Sequence, residues 1–142
     1  MEHNPALVWK TNGRCYLVSS QGYAYTDISE NIAQYSYLPL VEDKNNLSFL
    51  KEKPILSPTF IAFTQNIFKN ISGETNIEPD TFYIYETTVD LTLVTKAGFL
   101  VKFDTMRSSK TELTDLKKVL IEKRPEIKEY VDLRVPGWAY YK

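Results

Sequence analysis

The chain has 142 residues, 43% of them hydrophobic and 25% charged, which fits one globular domain and leaves little room for two. A chain of this size buries roughly 70% of its unfolded surface, so its core needs no metal or disulfide, and the single Cys15 excludes an internal disulfide and any multi-cysteine metal site. The net charge is −1, from seventeen basic and eighteen acidic residues with no Lys/Arg run longer than two, which argues against nucleic acid as a partner.

Ala6 to Thr11 and Arg14 to Ser20 read as strands joined by Asn12-Gly13, the strongest short hairpin signal. Cys15, beside Tyr16-Leu17-Val18, reads as a small buried hydrophobe. A second turn at Gln21-Gly22 leads into Tyr23 to Thr26. Residues 27 to 56 are less regular. Within them Tyr37 to Val41 reads as a short strand that Pro39 would confine to a sheet edge, and Asp43 to Asn46 reads as a surface loop. The first helix has Ser57 as cap, Pro58 at its first position and Gly73 just past its end, with Phe60, Phe63, Ile67 and Ile71 on one buried face. A meander follows, with strands over Phe82 to Glu86, Val89 to Thr95 and Phe99 to Asp104. Lys96-Ala97-Gly98 serves as a three-residue hairpin loop. The second helix starts at Ser109 with Glu112 closing a capping box, carries Leu113, Leu116, Val119 and Leu120 as its apolar stripe, and ends before Pro125. Strands in hairpins with two separate helices predict an α+β fold, a mostly antiparallel sheet covered by helices.

Little in the chain supports catalysis. His3 is the only histidine and sits at the N-terminus, where a base cannot be held about 3 Å from a nucleophile. Glu42-Asp43 and the Asp115/Glu122 pair read as loop and helix-surface charges, and no EF-hand spacing, G-x-G-x-x-G or P-loop is present. Two N-x-S matches, Asn46-Leu-Ser48 and Asn70-Ile-Ser72, would matter only in a eukaryotic secretory setting. The expectation is a protein without catalytic residues, bound metal or cofactor. No stretch approaches the roughly twenty apolar residues of a bilayer span, and no signal-peptide pattern appears. The chain is therefore either cytoplasmic or a piece of something longer, and its closing segment favours the second.

That segment runs from Tyr130 to Lys142. Alternation puts Val131, Leu133 and Val135 toward the core, with Tyr130, Asp132 and Arg134 on the other side. Asp132 and Arg134 can pair with each other or with a neighbouring strand. Val135-Pro136-Gly137-Trp138 fits a type II turn, and a bulge in one continuous edge strand is equally open. Beyond it Trp138, Tyr140 and Lys142 share one face, and Ala139 and Tyr141 the other. With ten Tyr, seven Phe and two Trp the chain is rich in the residues that favour strands and binding surfaces.

Tyr130-Val-Asp-Leu-Arg-Val-Pro-Gly137, followed by an aromatic tail ending Tyr140-Tyr141-Lys142, resembles the end of the bacterial cell-division family FtsQ, called DivIB in Gram-positive bacteria. Pro5 to Trp9, Tyr16-Leu-Val18, Gln21-Gly-Tyr23 and Leu38-Pro39-Leu40 match the family's opening pattern, so the likeness covers nearly the whole chain. The resemblance implies one β domain over residues 1–142, without the transmembrane helix and the small POTRA domain that precede it in the family. It implies a non-enzymatic scaffold on the extracytoplasmic side of the membrane at the division septum. Its partners there are the bitopic coiled-coil proteins FtsB (DivIC) and FtsL, through which it helps control septal peptidoglycan synthesis. In the family the partner adds a strand beside the last strand of the domain. Arg134 and Asp132 match the family's arginine and aspartate there. The partner-binding set is then Arg134, Val135, Trp138, Ala139, Tyr140 and Tyr141, with Asp132, Pro136 and Gly137 as structural supports. Trp138, Tyr140 and Tyr141 serve either as contacts to the partner or as a shield over the sheet edge. Two other classes stay open: a secreted or surface adaptor that reuses a similar fold, and a wall hydrolase, for which two carboxylates would have to share a polar pocket.

Overall fold

In the computed structural model, which describes residues 4–46 and 53–142, Asn12 and Gly13 both take positive φ (51° and 75°). A two-residue hairpin turn whose twist matches its strands requires that conformation. The turn joins β1 (Pro5–Thr11) to β2 (Arg14–Ser19), and the Gly22 turn leads on to β3 (Ala24–Asp27). A 3-10 turn over Ile32–Tyr35 precedes β4 (Leu40–Asp43), after which come α1 (Pro58–Thr75), β5 (Pro79–Ile84), β6 (Asp90–Thr95) and β7 (Leu100–Asp104). The chain closes with α2 (Ser109–Lys123), a 3-10 turn at Arg124–Glu126, β8 (Tyr130–Asp132) and β9 (Tyr140–Tyr141).

Among the described residues these nine strands form one mixed, mostly antiparallel sheet in the order β3-β2-β1-β4-β5-β6-β7-β8-β9, and with the two helices they make an α+β fold. The parallel pairings are β1 with β4, β4 with β5, and β7 with β8. A parallel pairing of neighbours requires a crossover, and α1 and α2 supply it between β4 and β5 and between β7 and β8. Phe63 of α1 packs edge-on against Phe103 of β7 at 5.9 Å. The main core gathers Phe60, Ile67 and Ile71 from α1 and Leu116 from α2. Alternate residues of the sheet meet them, among them Leu7, Phe82, Leu91, Leu93, Val101 and Val131. A smaller cluster of Val8, Cys15, Leu17 and Ile28, flanked by Tyr25, Tyr35, Leu38 and Leu40, covers part of the other face. Cys15 is buried there, and burial pushes its thiol up from its ordinary value.

Several expectations are corrected. Pro39 does not mark an edge strand. It stops one residue short of β4, which lies between β1 and β5, so its missing donor falls outside the strand, and its carbonyl accepts the N–H of Val8 at 2.9 Å. Asp43 belongs to β4 and is buried, bonded by the Thr11 hydroxyl, so the surface turn begins at Lys44. Gly73 lies inside α1; the helix ends at Asn76, which takes the left-handed conformation (φ 60°) and donates its N–H to the Ser72 carbonyl. The Ser57 cap holds, its Oγ accepting the Phe60 N–H at 3.0 Å. The cap of α2 is Ser108, whose Oγ accepts the Thr111 N–H, and no capping box closes through Glu112. Its carboxylate turns inward to accept the Asp104 N–H at 2.8 Å. The parallel pairings themselves were not expected from the hairpin pattern. His3 and the Ser48 end of the first N-x-S match lie outside the described residues, while Asn70 sits on α1.

Candidate functional site

The closing segment divides into two strands. Val131 and Leu133 are buried, as alternation requires, but Val135 is exposed. The reason is local. Asp132 Oδ1 accepts the N–H of Arg134 at 3.0 Å and Arg107 Nη1 donates to the Leu133 carbonyl at 2.6 Å, so the chain bends off the ladder before Val135 is reached. Val135 to Trp138 then forms a turn, not a bulge. The Trp138 N–H donates to the Val135 carbonyl at 3.1 Å and Gly137 takes φ 76°, the positive value that the third position of a type II turn needs. Pro136 and Gly137 are exposed at its tip.

Arg134 and Asp132 form a bidentate pair, with Nε and Nη2 at 2.9 and 2.8 Å from the two carboxylate oxygens. Asp90 on β6 adds a second carboxylate 3.5 Å from Nη1. Partial burial pushes the Asp132 carboxyl up, but the side-chain and backbone hydrogen bonds from Arg134 outweigh it and leave the group below its ordinary value. The same bond to Asp132 raises Arg134 further. Arg134 is thus committed to holding the bend, with part of its guanidinium facing solvent.

β9 pairs antiparallel with β8, Val131 opposite Tyr141 and Asp132 opposite Tyr140. Lys142 and Tyr130 exchange both backbone hydrogen bonds, at 2.9 and 3.1 Å. In an antiparallel ladder such pairs alternate with pairs whose N–H and C=O groups point away from each other. Tyr141 therefore directs its backbone groups away from β8, and Ala139 follows in the same phase. β9 is the last strand of the sheet among the described residues.

Side chains follow the same alternation. Tyr140 is on the open face with Asp132, while Tyr141 and the half-buried Ala139 lie on the helix side. Trp138 departs from its expected place beside Tyr140: the turn swings it toward α2, where with Ala139 and Tyr141 it lines a groove of about 350 Å³ against Lys118, Val119 and Glu122. Trp138 is 66% exposed, Tyr140 52% and Tyr141 37%. The Tyr141 hydroxyl reaches Glu126 at 3.4 Å. Asp115 lines the same groove as Glu122. The two stand two helical turns apart, about 10 Å along the axis, and Asp115 lies 3.8 Å from Arg107.

Among the described residues no group of three or more His, Cys, Asp or Glu side chains could hold a metal ion, and no helix is long and apolar enough to cross a membrane. The arrangement offers a strand edge, an aromatic lip and a shallow groove, which is the chemistry of peptide docking. Arg107 and Asp90, which fix the bend, were not singled out in the sequence because only tertiary contacts join them to Leu133 and Arg134. A scan of the sequence against protein-family models gives no match, and a search of curated proteins finds none similar to it.

Proposed function

We propose that this chain is a non-enzymatic FtsQ/DivIB-type β domain, a divisome scaffold on the extracytoplasmic side of the membrane at the septum. It binds FtsB/DivIC-like and FtsL-like partners by strand addition along β9 and so helps regulate septal peptidoglycan synthesis. The observation that carries the reading is the outward-facing backbone of Tyr141 at the end of the sheet, with exposed Trp138, Tyr140 and Tyr141 around it. The Tyr130-to-Gly137 resemblance supplies the family and its partners. Main-chain hydrogen bonds from Ala139 and Tyr141 give affinity, and side chains to either side give selectivity. Arg134 and Asp132 hold the bend that presents the edge; Pro136 and Gly137 make the turn, and Val135 stands exposed beside it.

The test is titration of the domain with a peptide from the partner's region just beyond its coiled coil, beside the same peptide N-methylated at alternate backbone positions. N-methylation in one of the two phases should abolish binding. Tyr141→Lys and Trp138→Ala should each weaken it about 30-fold, the equivalent of roughly 2 kcal/mol at a hot spot. Equal binding of both methylated peptides, or binding by both variants as tight as the wild type's, sinks the edge-strand site.

A further inference from the structure

Among the described residues Glu112 is the one carboxylate that the fold buries completely while leaving half of it unserved. It is 0% exposed; Oε1 accepts the Asp104 N–H, and Oε2 has no hydrogen-bond partner among the described residues. The side chain lies beneath the β7–α2 loop, and that loop is a junction. Thr105 donates its N–H to the Val89 carbonyl and its hydroxyl to Thr88, tying the loop to the start of β6. Arg107 donates its N–H to the Asp104 carbonyl and Nη1 to the Leu133 carbonyl, tying the loop to the end of β8, where the bend toward β9 begins.

We propose that Glu112 is a proton-operated latch: its neutral carboxyl leaves Arg107 on the Leu133 carbonyl, and its ionisation draws the guanidinium away and frees the segment that carries β9. A buried carboxylate with an unpaired oxygen is costly unless a cation or donor reaches it. Burial drives the Glu112 carboxyl up to about 8, against the lowering effect of the Asp104 N–H. The charged side chains whose fields reach it are Arg107, which favours ionisation, and Asp104 and Asp115, which oppose it. Arg107 is thus the cation to be recruited, and it now spends Nη1 on Leu133 and holds Nη2 3.8 Å from Asp115. Once it turns inward, the Leu133 carbonyl loses its side-chain donor. The bend then rests on the Asp132–Arg134 pair and the Leu133 N–H, which donates to the Lys102 carbonyl.

Carbon-detected NMR of the whole chain from pH 5 to 9.5 tests the latch. The Glu112 carboxyl carbon should titrate near pH 8, and the Leu133 carbonyl carbon should shift with the same midpoint. Glu112→Gln should abolish the Leu133 titration, and Arg107→Lys should abolish it while Glu112 still titrates. A Leu133 carbon that stays flat while Glu112 ionises overturns the proposal, as does a Glu112 midpoint in the ordinary carboxylate range. Should Glu112→Gln fail to fold, the coincidence or divergence of the two wild-type midpoints decides. No partner enters these measurements, so the latch and the edge-strand reading stand or fall separately.

Discussion

Gly22 and Gly98 take nearly the same backbone conformation, φ +98° and +101°, in very different surroundings. A Cβ at Gly98 meets nothing within 4 Å, so Gly98→Ala should lose only what the strained conformation costs, on the order of 1–2 kcal/mol. A Cβ at Gly22 would stand 1.9 Å from the Leu56 carbonyl oxygen, which is backbone and cannot rotate aside. To reach ordinary contact the 55–56 segment would have to move by more than an ångström. That movement breaks the 2.8 Å bond from the Ile55 N–H to the Gly22 carbonyl, worth about 1 kcal/mol, and disturbs the packing of buried Leu56. With overpacking of about 1–3 kcal/mol added to the lost bond and the shared strain, Gly22→Ala should lose roughly 3–6 kcal/mol. Urea denaturation followed by tryptophan fluorescence, with Trp9 in the core as reporter, measures both variants. Equal losses at the two positions would refute the reasoning, because the difference isolates the Leu56 contact.

Glu112 also sets a stability slope. Its folded value of about 8 lies above the ordinary 4.5, so the folded state holds the proton more tightly, and the stability this confers is full below pH 4.5 and lost as pH rises to 8. That amounts to about 1.4 kcal/mol per pH unit, and Glu112→Gln should remove it; stability curves for the two proteins that run parallel from pH 5 to 8 contradict the account. Ser57→Ala removes the acceptor of the Phe60 N–H and should cost about 1 kcal/mol, whereas Ser109→Ala, one place past the true cap of α2, should cost far less in the same urea titration. Arg134→Gln should loosen the bend and lower the hydrogen-exchange protection of the Lys142 amide, which bonds the Tyr130 carbonyl; unchanged protection would show that the Arg134 side chain does not hold it.

Features settled within a few residues of one another were legible in the sequence. Asn12-Gly13, Ser57-Pro58 and Gly98 each demand a conformation that only one local structure supplies, and each is found in that structure. The ends of helices were less clear because neighbouring signals compete. Ser108 and Ser109 both suit a cap, and Asn76 outcompeted Gly73, whose position within α1 carries no steric demand. The place of β4 was hidden because Pro39 excludes a strand interior but says nothing of the residue after it. In the candidate site, the Asp132–Arg134 pair and the helix-side position of Tyr141 follow from a period of two. Val135 and Trp138 do not, since the bend set by Asp132, Arg107 and Gly137 breaks that period.

The position of β4 has a further consequence. On one side of it lies the β1–β3 block and on the other the β5–β7 meander, each closed by antiparallel neighbours; the seam between them is four residues long and parallel on both flanks. A hairpin such as β1–β2 forms in about 1–10 μs, while the seam must wait for contacts from Val8 to Leu40 and from Val41 to Phe82. The molecule should therefore assemble as two cooperative units that weld late, and under mild denaturant it should part first along the line of Leu40 to Asp43. Amides of β4 would then exchange through a sub-global opening, at a lower free energy than those of β6.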